Sequence, residues 1–272
     1  MPFMKWTLDQ PITLAAFFEI HFKGVSKRTV STWIDHGRLT VNGTRPALKM
    51  TAMAGDVIEF LDHIQKNPFG LHFYYHDNEI VVVEKPEGLL SVNSEDESVV
   101  SLLYLLKKSL KRDVWPVQRL DRETSGVLVF ALTQKARERL KKQFEDHTIE
   151  RTYYAVLGGQ LEEDTGVWKT FLTEDKNLYV HVAREGKLAI SRFEVVKRTT
   201  KTTHVRFFLE TGKKNQLRVQ ADHFGHAIVG DPKYDSRKNL KAKRLLLHAT
   251  DLVFLHPTTN KKMSFRSDPP FI

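Results

Sequence analysis

From Thr13 to Phe22 the apolar residues Leu14, Phe17, Phe18 and Phe22 recur three or four positions apart, the interval of one helix face. Ser26 has the character of an N-cap for a second helix, with Val30, Trp33 and Ile34 along one side and Gly37 as its stop. A short strand from Arg38 to Val41 runs into an Asn42-Gly43 turn, and Gly55-Asp56 precedes a second strand, Val57 to Leu61. Together these predict a small α/β unit over residues 12–62. Asn67-Pro68 and Gly70 then break every period, so residues 63–73 read as a linker.

Beyond the linker the pattern changes. Ile80 to Val83 is a continuous β-branched run, closed by the turn Glu84-Lys85-Pro86-Glu87-Gly88, and reads as a buried strand. Ser98 is the expected cap of a helix carrying Val99, Leu102, Leu103 and Leu106, with Lys107 to Arg112 as its solvated end. A polar loop from Gln118 turns at Ser125-Gly126 into an apolar strand, Gly126 to Ala131. Thr133 caps a polar helix from Gln134 to Phe144, studded with Lys135, Arg137, Arg139, Lys141 and Lys142, most of them solvated. Strands follow at Arg151–Leu157, Ala189–Val196, Thr203–Leu209, Asp251–Leu255 and Met263–Arg266, and one helix, Gln216 to Phe224, ends at Gly225. Short strands with few helices between them predict an α+β domain over residues 74–272, a mixed, largely antiparallel sheet with flanking helices.

Composition narrows the function classes. The chain has 272 residues and a net charge of +9. Between Lys197 and Arg244 there are thirteen Lys/Arg against four Asp/Glu, whereas the segment up to Asp62 is nearly balanced. Such a local surplus suits a polyanion, whose counterions are released when its phosphates are neutralised. With no cysteine there is no disulfide, thiolate nucleophile or Cys-held metal, and a reducing cytoplasm is the expectation. The N-terminal residues lack an apolar signal core, and no run is long enough to span a membrane.

The chemistry gathers between Gln118 and Phe130. Asp121 stands between Arg119 and Arg122, and two neighbouring guanidiniums predict an ionised carboxylate. Tyr153, within the predicted strand Arg151–Leu157, offers a ring for stacking on a base or a hydroxyl for proton transfer. In Thr211-Gly212-Lys213-Lys214-Asn215-Gln216-Leu217-Arg218 a basic loop leads into a helix, and the Arg218 fork has Asp121 as its obvious partner. Gly225-His226, Gly230-Asp231-Pro232 and Tyr234 mark a second glycine-punctuated loop. In the N-terminal unit, Lys23, Lys27, Arg28 and Arg38 gather at the two ends of the predicted second helix, a phosphate-binding arrangement.

Residues 12–62, through Ser26-Lys27-Arg28, Ile34 to Asn42-Gly43 and Ala54-Gly55-Asp56-Val57-Ile58, resemble the α-L RNA-binding motif of a ribosomal protein. From Tyr74 onward the chain resembles the RluA-type pseudouridine synthases. The segments that match are Glu84 to Leu89, Arg119 to Gly126, Arg151 to Ala155, Thr211 to Val219, Gly225-His226, Gly230 to Tyr234 and Arg244 to Ala249, in the family's order. The resemblance implies that Asp121 is the catalytic aspartate, Tyr153 the active-site tyrosine, Arg218 the arginine that pairs with the aspartate, and Leu217 the apolar neighbour of the target base. It implies RNA contacts for Arg119, Arg122, Lys213, Lys27, Arg28 and Arg38. It also implies an RNA substrate, rRNA or tRNA, with no metal or cofactor, and a monomer.

Four positions depart from the family pattern. Gln118 and Gln220 replace a frequent His, and Lys214-Asn215 stands where Thr-His is common. These are expected on the RNA-facing rim, where they bear on substrate identity. The implied reaction cuts the uridine glycosidic bond, turns the uracil and rejoins it through carbon 5, and so needs a carboxylate at the sugar or base. Whether Asp121 adds to the base, attacks the sugar or removes a sugar proton is open at this level. Three rivals stand beside it, one of them a basic protein with no RNA role, which would bind with little dependence on RNA shape. A metal hydrolase would need His223, His226, His204 and His248 to converge, yet no His-Glu-x-x-His spacing occurs. A catalytically silent RNA-binding protein on the same fold is opposed by the presence of Asp121, Tyr153 and Arg218 together.

Overall fold

The computed structural model describes residues 3–22, 30–31, 34, 39–61, 70–93, 100–235 and 242–272. Ser26, Gly37, Lys23, Lys27, Arg28, Arg38, most of the linker, and Ser98-Val99 lie outside these residues. The chain divides into two units, Met1–Pro68 and Phe69–Ile272.

In the first unit β1 (Phe3–Thr7), β2 (Ile12–Thr13), α1 (Leu14–His21), β3 (Leu39–Val41), β4 (Thr51–Ala52) and β5 (Val57–Leu61) follow in order. The predicted helix face is the buried one: Leu14, Phe17 and Phe18 join Val30, Ile34, Leu39, Ile58 and Phe60 in one core. Thr13 caps α1 by accepting the Ala16 N–H at 3.2 Å. Asn42 and Gly43 both take positive φ, 51° and 75°, as an Asn-Gly turn requires. The unit also contains a strand that the residue pattern does not predict. β1 pairs antiparallel along the whole of β5, Phe3 to Leu61 through Thr7 to Val57, so β5 is central and not an edge.

The second unit is built on one eleven-stranded sheet. Its elements are β6 (Phe73–His76), β7 (Ile80–Lys85), α2 (Leu102–Leu110), β8 (Trp115–Pro116), β9 (Ser125–Ala131), α3 (Gln134–Glu145), β10 (Glu150–Gly158), β11 (Thr165–Glu174), β12 (Val180–Ala183), β13 (Lys187–Arg198), β14 (Thr202–Leu209), α4 (Gln216–His223), β15 (Leu247–Leu255) and β16 (Lys262–Arg266). The strand order is β12-β11-β13-β14-β10-β15-β9-β7-β6, with β16 beside β15 and β8 beside β9. Among these described pairings only β9 with β15 is parallel. The mixed, largely antiparallel α+β architecture is the one the residue pattern predicts.

Both faces of the sheet are covered, which explains why its central strands read as continuous apolar runs. In β7, Val81 and Val83 face a core shared with Leu102 and Leu106 of α2 and Leu217 and Ala221 of α4. Ile80 and Val82 point the other way, to Ala136 and Leu140 of α3. β9 divides likewise, Leu128 and Phe130 against Val127 and Val129. α3 is capped by Thr133, whose oxygen accepts the Ala136 N–H at 3.1 Å. The cap of α2 is Ser101, which accepts the Tyr104 N–H at 3.1 Å, so the helix starts later than a cap at Ser98 would have set it.

Candidate active site

The site forms where the chain crosses the middle of the sheet. Tyr153 on β10 is opposite Ala249 on β15, and Ala249 is opposite Gly126 on β9. This row sets the start of β9, and the polar loop before it, beside the tyrosine. Gly126 has φ +126°, and a Cβ there would lie 2.2 Å from the Ala249 carbonyl oxygen. Only glycine permits the two backbones to approach so closely.

The Asp121 loop is held from below by the turn after β7. The Lys85 side chain is fully buried and donates to the carbonyls of Pro86 at 2.9 Å, Leu89 at 2.7 Å and Arg122 at 3.1 Å. Burial lowers its pKa to about 8, against the pull of Asp121 and Glu123. Ser91 brackets Leu120, accepting its N–H at 3.0 Å and donating to its carbonyl at 2.7 Å. Gly88 donates its N–H to the Arg122 carbonyl at 2.8 Å, and Arg122 Nε returns a bond to the Gly88 carbonyl at 3.0 Å. The sequence gives neither Lys85 nor Ser91 a role of its own, although Lys85 lies in the first of the matching motifs.

Asp121, Tyr153, Leu217 and Arg218 line one cavity of about 1010 Å³, together with Gln118, Arg119, Arg122, Lys213, Lys214 and Asn215. The charges inside differ from the sequence expectation in two ways. First, Arg119 and Arg122 are both exposed, and among the described residues the ion pair of Asp121 is with Arg218. Second, that pair is long. Arg218, 3% exposed, gives its planar fork to Asp231, with Nε to Oδ2 and Nη2 to Oδ1 both at 2.8 Å. Its remaining Nη1 is 3.0 Å from Glu123 Oε2 and 3.6 Å from Asp121 Oδ2.

The result is one buried guanidinium among three carboxylates. Burial raises the Asp121 pKa above the ordinary aspartate value; Arg218 opposes this, and Glu123 and Asp231 reinforce it. The carboxyl therefore ionises less readily than two flanking arginines would predict. Burial also raises the Tyr153 phenol, with Arg151 opposing and Asp121 adding, so its hydroxyl keeps its proton at neutral pH.

The remaining predicted positions separate. Gln118 is half-buried in the cavity wall, and Lys214 pairs outward with Glu174. Gln220 is not on a rim. It is fully buried, accepts from Ser191 Oγ at 2.7 Å, and donates to Thr170 Oγ1 at 3.1 Å and to the Trp168 and Ala189 carbonyls at 3.2 Å. Asn215, 8% exposed, also turns inward. Arg151 is a site residue that sequence reasoning missed: it lines the cavity with its guanidinium 5.5 Å from the Phe144 ring centroid. Asp231 is visible in the sequence only as part of a Gly-Asp-Pro turn, where it also accepts the N–H groups of Lys233 and Tyr234.

The histidines have other partners: His204 bonds Tyr154, His226 the Gly158 carbonyl, and His248 both Ser125 and Ser267. Among the described residues no group of three or more His, Asp or Glu is arranged to hold a metal.

Comparison with known proteins bears on what this cavity does. A family model described as RNA pseudouridylate synthase matches residues 79–223. The chain is 33% identical to tRNA pseudouridine synthase C of Vibrio parahaemolyticus over 74% of its own length and 91% of that protein. It is 35% identical to the dual-specificity RNA pseudouridine synthase RluA of Haemophilus ducreyi, over 77% and 97% of the two chains. The solved structure of human RNA pseudouridylate synthase domain containing 1 has the same fold, with a TM-score of 0.64 at 22% identity over 75% of this chain and 85% of that one.

Proposed function

The chain belongs to the RNA pseudouridylate synthase family, of the RluA type, and on that premise we propose that it isomerises specific uridines of structured RNA, rRNA or tRNA, with Asp121 as the essential carboxylate. The reaction breaks the bond from N1 to the sugar and forms one from carbon 5. A proton leaves carbon 5 and another is taken up at N1, so no electrons change hands. Adding to the base, attacking the sugar and removing a sugar proton all require the carboxylate in its ionised form.

The observation that carries this reading is Asp121 in one cavity with Tyr153, Leu217 and Arg218. Its volume of about 1010 Å³ is at the upper end of the ~300–1,000 Å³ usual for ligand pockets, enough for an extruded nucleotide and its backbone. Tyr153, its hydroxyl protonated, stacks on the base, and Leu217 packs beside it. Arg218 offsets part of the charge of the three carboxylates and so favours the ionised form of Asp121. Residues 12–62, by their resemblance to the α-L motif, supply RNA affinity through Lys27, Arg28 and Arg38.

Release of tritium from RNA labelled at uridine carbon 5 tests the assignment. Asp121→Asn should bind the RNA as wild type does and release none. Equal release by both proteins would remove Asp121 from the chemistry.

A further inference from the structure

Asn215 occupies the N-cap position of α4, yet its side chain makes no capping hydrogen bond. An Asn at that position ordinarily accepts an N–H of the first turn, an interaction worth about 1 kcal/mol relative to Ala. Here the backbone is left-handed, φ 54° and ψ 21°, and the amide is turned inward. Its two neighbours fix which way the amide faces. Asp121 can only accept when ionised, so the Asn215 nitrogen faces the carboxylate, donating to Oδ1 at 3.1 Å and Oδ2 at 2.9 Å. The amide oxygen then accepts from the Tyr234 hydroxyl at 3.0 Å. That hydroxyl is itself anchored: Tyr234 is 2% exposed, its oxygen accepts the Val180 N–H at 3.2 Å, and its ring lies 5.4 Å from the Arg218 guanidinium.

We infer that Asn215 is the positioning residue for Asp121, an anchored amide that bridges both carboxylate oxygens and favours their charged state. The inference rests on Asp121 being the essential carboxylate. It gives Asn215 the role that the sequence assigns to Arg218, whose fork is taken by Asp231, and it removes Asn215 from the RNA-contacting rim. The other charged or titratable groups facing Asp121 are Arg218 and Asp231, Glu123 on its own loop, Lys85 at the end of β7 and Tyr153 on β10. Of these only Arg218 and Lys85 favour ionisation; Arg218 Nη1 stands 3.6 Å from the carboxylate, farther than the Asn215 nitrogen, and the Lys85 ammonium donates to three backbone carbonyls.

The test is the pH dependence of the single-turnover rate on saturating RNA for wild type, Asn215→Gly and Asn215→Asp, with RNA affinity measured alongside. Glycine removes the amide without straining the left-handed backbone, so folding is preserved. Asn215→Gly should bind RNA as wild type does, with the acid limb displaced upward by about one pH unit and a rate about tenfold lower on that limb. Asn215→Asp, of the same shape but acidic, should displace the limb further. Loss of affinity with an unmoved acid limb in both variants would overturn the inference and return Asn215 to the rim. So would a rate loss uniform across pH. If instead Asp121→Asn retains full activity, the reading of the site fails, whatever the Asn215 variants do.

Discussion

Asp121 sits in surroundings that resist the charge its proposed chemistry needs. Its folded pKa is raised by burial, so over a window above about pH 4 the folded chain still holds a proton that the unfolded chain has lost. Stability therefore falls as pH rises through that window, and the cost is fully present above the folded pKa. Arg218 reduces this cost without cancelling it. Asp121→Asn is accordingly expected to raise Tm at pH 7 by ~2–4 °C, equivalent to about 1 kcal/mol in a domain of this size, while activity is lost. The gain should shrink toward pH 4, where the wild-type carboxyl is itself neutral. Thermal melts of both proteins across that range decide it, and a gain that stays constant with pH would assign the stabilisation to something other than charge. Lys85 is the complementary case: fully buried, it retains three carbonyl acceptors that hold the loop in place.

The elements that build the site differ in how much substitution they tolerate, and two glycines show why. A Cβ on Gly126 would meet backbone atoms of β15 at 2.2 to 2.8 Å and require a positive φ that alanine resists. At Gly212 the obstacle is the guanidinium end of Arg151 at 2.5 Å, which can move, and φ is not positive. Gly126→Ala should separate β9 from β15 and cost several kcal/mol, above the ~0.5–3 kcal/mol of ordinary substitutions, whereas Gly212→Ala should melt within about 0.5 kcal/mol of wild type and weaken RNA binding. Urea titration of the two variants checks this, and equal midpoints would contradict the close parallel pairing. The same contrast separates what was legible in the sequence from what was not. β7, β9 and β10 could be read from their apolar runs, and α3 from its capping threonine, Thr133. β11 could not, because its outward face carries the exposed Val167 and Phe171 while Thr170 lies inside, blurring the alternation although burial follows it. Asp121, Tyr153 and Arg218 could be picked out by their resemblance to known motifs. The choice of Asp231 over Asp121 for the arginine fork could not, since three acids compete and only the placement of the Gly230-Asp231-Pro232 turn decides among them.

At the scale of the whole molecule the net charge of +9 acts through those cations that have no carboxylate of their own. Arg119, Lys141, Lys213 and Arg151 line the cavity, and none has an ion-pair partner among the described residues; Lys214, on the same wall, is paired with Glu174. An unpaired cation is free to take an RNA phosphate and release its counterion, whereas a paired one must first give up its carboxylate. Neutralising Arg119, Lys141 and Lys213 to Gln should therefore lower the slope of log affinity against log salt by about 0.7–0.9 for each phosphate no longer neutralised, while Lys214→Gln should change it little. Replacing Lys27, Arg28 and Arg38 by Gln should reduce the slope in the same way, because the N-terminal unit is proposed to supply affinity. The two sets part company when RNA is saturating. On the proposed function the cavity cations hold the extruded nucleotide against Asp121, so their loss should slow single turnover even with all enzyme bound, whereas loss of the N-terminal cations should leave that rate unchanged. Binding measured between about 50 and 200 mM salt, with single-turnover rates at saturation, separates these outcomes. A slowed saturated rate after the N-terminal substitutions would mean that the first unit takes part in presenting the uridine, and the division of labour between the two units would have to be abandoned.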